Sequence, residues 1–97
     1  MKKKGKIMKA IVTVLGADKP GIIANISQVL YKANANIIDL SQTVMSGEIF
    51  VMNMQVDLTN ASMPFDKLGQ ELNDCGKNMG LDVRLQRQEI FDIMYRV

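Results

Sequence analysis

Apolar residues change spacing along this chain, from every second residue to every third or fourth and back. Residues 8–15, MKAIVTVL, form a β-branched run that predicts a largely buried strand. Gly16 to Lys19 read as a loop, and Pro20 suits the first turn of a helix, where a missing N–H costs little. Over 21–34 the residues Ile22, Ile26, Val29, Leu30 and Ala33 recur at helical spacing, with Asn25, Gln28 and Lys32 turned away and Asn34 as the stop. An extended run follows over 36–45, with Ile38, Leu40 and Val44 expected on one face and Asp39, Ser41 and Thr43 on the other. Ser46-Gly47 signals a tight turn. The next run alternates cleanly, placing Phe50, Met52, Met54, Val56 and Leu58 against Asn53, Gln55 and Asp57. Ser62 is expected to cap a second helix whose first turn holds Pro64 and Asp66 and whose stripe is Phe65, Leu68, Leu72, Cys75 and Met79. Gly69 and Gly76 interrupt that helix, and close packing on a sheet would explain them. Gly80 ends it, and residues 81–88 alternate again, Leu81, Val83 and Leu85 against Asp82, Arg84 and Gln86.

The order βαββαβ predicts an α+β, ferredoxin-like sandwich, with a four-stranded antiparallel sheet and both helices on one face because right-handed crossovers put them there. The other face carries Ile11, Ile49 and Val51 among polar residues and invites partial cover by a partner. Residues 1–7, with their lysines, read as a flexible N-terminal extension, residues 8–88 as the folded domain, and 89–97 as a docking segment. EIFDIMYRV is too apolar for a frayed end. It is expected as a short helix or arm whose Ile90, Phe91, Met94 and Tyr95 dock on this chain or on a second subunit.

Composition narrows the chemistry. The 97 residues suit one domain, and 47% hydrophobic residues support a packed core. The net charge of +2 comes largely from the first six residues, leaving no broad basic face for nucleic acid. No apolar run is long enough for a membrane span, and no signal peptide is evident. The single cysteine forbids an internal disulfide and points to a cytoplasmic setting. Histidine is absent, and no nucleotide, hydrolase or metalloprotease motif is present, so an enzyme is not expected and no cofactor or metal is implied.

Several activities found on this architecture also fit poorly. Acyl-phosphate hydrolysis needs an arginine in the first loop, which has only Lys19. RNA binding on the open face needs aromatic platforms, and Phe50 alternates with core residues. Soft-metal transfer needs paired cysteines, whereas Cys75 lies on an apolar helical stripe and Met52, Met54 and Met79 fit core positions.

The run TVLGADKPGIIANISQVLYKANANIIDLSQTV, residues 13–44, resembles the opening half of an ACT domain, through the D-x-P-G-I loop at Asp18, Pro20, Gly21 and Ile22 and the Asn-Ala-Asn-Ile entry at 34–37. LSQTV at 40–44 and the Ile90, Phe91, Met94, Tyr95 pattern are similar to a subgroup of small stand-alone ACT proteins. The resemblance implies a non-catalytic regulatory module over 8–88. It would bind an amino acid or similar small ligand, pair side by side into a homodimer with ligands near the interface, and act on a target enzyme or regulator. The alternative is a protein-interaction or dimerisation module that kept the fold without the ligand.

The residues of GADKPGI support ligand binding physically. Gly21 has no Cβ, so a ligand can approach its backbone. The amides near Gly21, Ile22 and Ile23 have no intrahelical acceptors and sit at the positive end of a helix dipole, a match for a carboxylate. Asp18 offers an acceptor to a ligand ammonium, and Asn36 is expected to supply a donor and an acceptor nearby. The expected ligand-binding set is therefore Asp18, Pro20, Gly21, Ile22, Ile23 and Asn36.

Overall fold

The computed structural model describes residues 8–89. The expectations for the 1–7 extension and for docking by Ile90, Phe91, Met94 and Tyr95 lie outside the described residues. Six elements follow in the predicted order: β1 Lys9–Ala17, α1 Ile22–Lys32, β2 Asn36–Met45, β3 Ile49–Asp57, α2 Phe65–Asn78 and β4 Leu81–Arg87. They build one antiparallel sheet in the order β2-β3-β1-β4, so the two halves of the chain interleave at the central strands. This is the ferredoxin-like α+β sandwich the periodicity predicts.

Strand alternation decides which face the helices cover. Ala10, Val12 and Val14 of β1, Phe50, Met52, Met54 and Val56 of β3, and Leu81 and Val83 of β4 face one way and are buried. They meet Ile22, Ile26, Leu30 and Ala33 from α1 and its end, and Leu68 and Leu72 from α2. α2 is polar except for its stripe, so Leu68 and Leu72 are its main anchors. Each contributes about 1.5–3 kcal/mol by complete burial.

Several local expectations are corrected. β1 runs on through Gly16 and Ala17, which pair with Phe50 and Ile49, because β3 is long enough to hold them. Pro20 precedes α1 rather than lying in its first turn. Ser62 does not cap α2. Its Oγ donates to the Lys32 carbonyl at 3.3 Å and its amide to the Ala33 carbonyl at 2.8 Å, so it closes the end of α1 instead. In β2 a bulge at Ile38 breaks the alternation. Ile37 pairs with Val56 but Asp39 with Gln55, so Ile37, Leu40, Gln42 and Val44 share the helix-side face, and Ile38 is the extra residue. α1 covers little of this edge strand: Ile37 packs against the core, while Ile38, Leu40 and Val44 stay 37–45% exposed.

Other turn readings hold. Asn34 stops the helix with φ 57°, and Ser46 and Gly47 both take positive φ in the hairpin turn, closed by the Glu48 amide on the Met45 carbonyl. Asp57 ties down the far end of the sheet, accepting from the Thr59 hydroxyl at 2.6 Å and the Thr59 amide at 2.9 Å.

Candidate functional site

Three turns meet at one end of the sheet: the β1–α1 loop, the β2–β3 hairpin turn and the α2–β4 turn. Antiparallel order makes this unavoidable, since β1 ends where β3 begins and where β4 begins. The Asp18 amide donates to the Glu48 carbonyl at 2.7 Å, fastening the loop to the hairpin turn. The Lys19 ammonium donates to the Met79 carbonyl at the C-terminal end of α2, where a cation complements the helix dipole. Two adjacent residues at the start of the loop are thus held by elements far away in sequence.

Gly21 sets the start of α1. Its φ of 86° lies in the left-handed region that side chains other than glycine or asparagine resist. It occupies the N-cap position, and α1 receives no side-chain cap. Asp18 carries a side-chain acceptor suited to that role. Instead its backbone is fixed to Glu48, three residues ahead of the cap, and its exposed carboxylate is hydrogen-bonded to no described residue. Among the described residues, no acceptor meets the amides of Ile22, Ile23 and Ala24. The first turn of α1 therefore presents unpaired donors and no acidic side chain to compete for them.

Asn25 is a neighbour that sequence reasoning assigned only to the outer side of the helix. Its Nδ2 donates to the Gly21 carbonyl at 2.7 Å, and a Cβ at Gly21 would lie 3.3 Å from that nitrogen. The spacing of one helical turn from Gly21 was the available signal. Lys19 and Glu48 carried none, because their contacts are tertiary.

The structure gathers Asp18, Pro20, Gly21, Ile22 and Ile23 into this one turn. It separates Asn36 from them. Asn36 pairs with Asp57, which pairs with Lys9, whereas Ala17 pairs with Ile49. The nine-residue β1 lies between those rows, roughly 26 Å at about 3.3 Å per residue. Within one chain Asn36 is at the opposite end of the sheet, a correction to its expected proximity. The reason is elementary: the helix carries the chain back, so β2 starts where β1 started.

Other reactive groups are bland. Burial pushes the half-buried Cys75 thiol up, away from the thiolate that nucleophilic or metal chemistry uses. No cluster of three or more histidine, cysteine or acidic side chains that could hold a metal occurs among the described residues. No helix among them is long and apolar enough to cross a membrane.

The sequence model of the ACT domain matches residues 9–86. The chain belongs to the ACT domain family. Its relatives include a UPF0237 protein of Methanopyrus kandleri, 48% identical over 92% of this chain and 98% of that one. A UPF0237 protein of Clostridium acetobutylicum is 47% identical over 93% of this chain and all of its own length. Among solved structures, an ACT domain protein from Streptococcus pneumoniae superposes with a TM-score of 0.77 at 37% identity, over 93% of this chain and 100% of that one. The Asp18–Ile22 motif falls within the part of the chain matched as an ACT domain.

Proposed function

We propose that this ACT domain is a stand-alone, non-catalytic regulatory module that binds a small carboxylate-bearing ligand, an amino acid, at the start of α1. ACT domains typically serve as regulatory modules that bind small ligands, and that general role is the starting point. The observation that carries the finer reading is the uncapped helix start. The amides of Ile22, Ile23 and Ala24 lack acceptors, and Gly21 leaves the approach open. In the proposal the ligand carboxylate takes those amides and its ammonium takes Asp18.

Asn36 enters from a second copy. β2 is a sheet edge with half-exposed apolar residues. Antiparallel pairing of two β2 edges would set the Asn36 end of one copy beside the Met45 end of the other, which is the end that holds the loop. The module then acts in the cytoplasm as a homodimer with ligands near its interface and passes occupancy to a target enzyme or regulator. The second reading, a ligand-free interaction module, is favoured by the same edge, since it accounts for dimerisation without any ligand.

Titration calorimetry of the chain against the common amino acids tests this. Binding is expected with at least one, in the micromolar-to-millimolar range, and at least about tenfold weaker in Asp18→Asn. Gly21→Val, with its fold checked by circular dichroism, should abolish it. Undiminished binding in a folded Gly21→Val protein contradicts the loop assignment, and no binding by any amino acid favours the interaction module.

A further inference from the structure

The open face of the sheet holds a feature that neither the loop nor the core accounts for. A cavity of about 300 Å³ is lined by Ile11, Asp39, Ser41, Asn53, Met54 and Gln55. Its position follows from the register. Asp39, Gln55 and Ile11 form one row across β2, β3 and β1, and Ser41 and Asn53 lie in the next row on the same face. The bulge at Ile38 brings Asp39 here. Without it, alternation would place Asp39 on the same face as Ile37, toward the helices. Ile11 forms an apolar floor, 7% exposed despite facing away from the helices.

Four polar side chains stand over the largely apolar lining, and they are incompletely paired among the described residues. One Asp39 oxygen accepts from the Leu40 amide at 2.9 Å, and the other meets no described residue. Gln55 donates through Nε2 to Gln88 Oε1 at 2.8 Å, which fixes its amide and leaves its own Oε1 as an acceptor. Among the described residues, Ser41 and Asn53 make no side-chain hydrogen bond. Among the described residues, Asp39 is the only charged one in the lining. Among the described residues of the same face, Asp57 and Lys9 are cross-strand partners in the row beyond, and Arg84, across Thr13 in the Ser41–Asn53 row, is held by Asp82 at 3.2 Å. Among the described lining residues an anion would meet a carboxylate and no cation. A small ammonium compound would meet a carboxylate, two amides and a hydroxyl.

We propose that this cavity is a second ligand site, for a small organic amine whose ammonium pairs with Asp39 and whose remaining polar atoms meet Ser41, Asn53 and Gln55. It is separate from the helix start. The Ile11 and Ala17 rows are roughly 20 Å apart along β1, too far for one small ligand to bridge, so each site stands or falls alone. The carboxylate is near solvent, so binding is weak, in the millimolar range.

Amide and side-chain amide NMR shifts of the full chain read the test. The probes are ethanolamine and 1,4-diaminobutane, with glycolate as the matched anion. Saturable shifts centred on Ser41, Asn53 and Gln55 are expected with at least one amine and none with glycolate. Affinity should fall at least about tenfold in Asp39→Asn, and Asn53→Leu, which keeps the charge and fills the cavity, should also lose binding. The proposal is overturned if neither amine gives saturable shifts at tens of millimolar, if glycolate binds as well, or if Asp39→Asn binds undiminished. Asp39 is exposed, so the variant spectrum reports directly whether the fold is kept.

Discussion

Gly69 and Gly76 lie on the same helix, yet alanine at the two positions has opposite expected effects. At Gly76 a Cβ would sit 2.5 Å from Val83 Cγ2 and 3.0 Å from the Leu81 carbonyl oxygen, so the helix must move off the sheet. Gly76→Ala should destabilise the fold by about 1–3 kcal/mol despite better helix propensity. At Gly69 the nearest atoms belong to Leu85 at 3.9 Å, an ordinary contact, so Gly69→Ala should stabilise by up to about 1 kcal/mol. Urea unfolding of both variants measures the pair. Close packing was legible as a reason for glycine here, but the sequence held no signal that only one of the two needed it. Asp57 gives a residue-scale pH effect. The Thr59 hydroxyl first, then the Thr59 amide, hold its carboxyl below the ordinary 3.8, with Lys9 adding to this and slight burial opposing. A depressed acid stabilises above its unfolded pKa and loses that contribution as pH falls through the folded value. The stability gap between the wild type and Asp57→Asn should therefore be constant near neutrality and close as pH drops below about 4, read by urea midpoints across pH.

At the scale of elements, period and turn chemistry account for most of what was legible. The clean alternation of β3 and the stripe of α1 needed no tertiary information. What escaped was set by partners distant in sequence. Ser62 looks like an N-cap for α2 by spacing but closes α1, because the two helices lie side by side. Asp18 has cap chemistry, yet its backbone is held by the hairpin turn. The Ile38 bulge puts Ile37 rather than Ile38 on the helix-side face with Leu40 and Val44, and a single sequence does not mark it. β2 also carries an unsolved problem for an isolated chain: it is a ten-residue edge with Ile38, Leu40 and Val44 more than a third exposed and Met45 about half exposed. Such an edge pairs with another unless it is charged or covered. Sedimentation equilibrium should give twice the chain mass for the wild type, and Val44→Lys should shift it toward the monomer. A monomeric wild type would contradict pairing through β2.

For the molecule as a whole, the fold was legible because two periods, repeated in the order βαββαβ, admit few arrangements. The site was legible only in its local half. Gly21, Ile22 and Ile23 adjoin in sequence and stay together in space, whereas Asn36 of the same chain lies a strand's length away because the topology returns the chain to its starting end. Lys19 and Glu48, which fasten the loop from the two flanking turns, became visible only once strand order was known. The loop is thus the junction of three turns, and a ligand on α1 would adjoin a loop hydrogen-bonded both to the hairpin turn and to the end of α2. The most direct measurement is an amide NMR titration with the amino acid that calorimetry identifies. The account predicts the largest shifts at Ile22, Ile23 and Ala24, with smaller ones at Asp18 and Glu48. Saturable shifts that leave the start of α1 unmoved would contradict it.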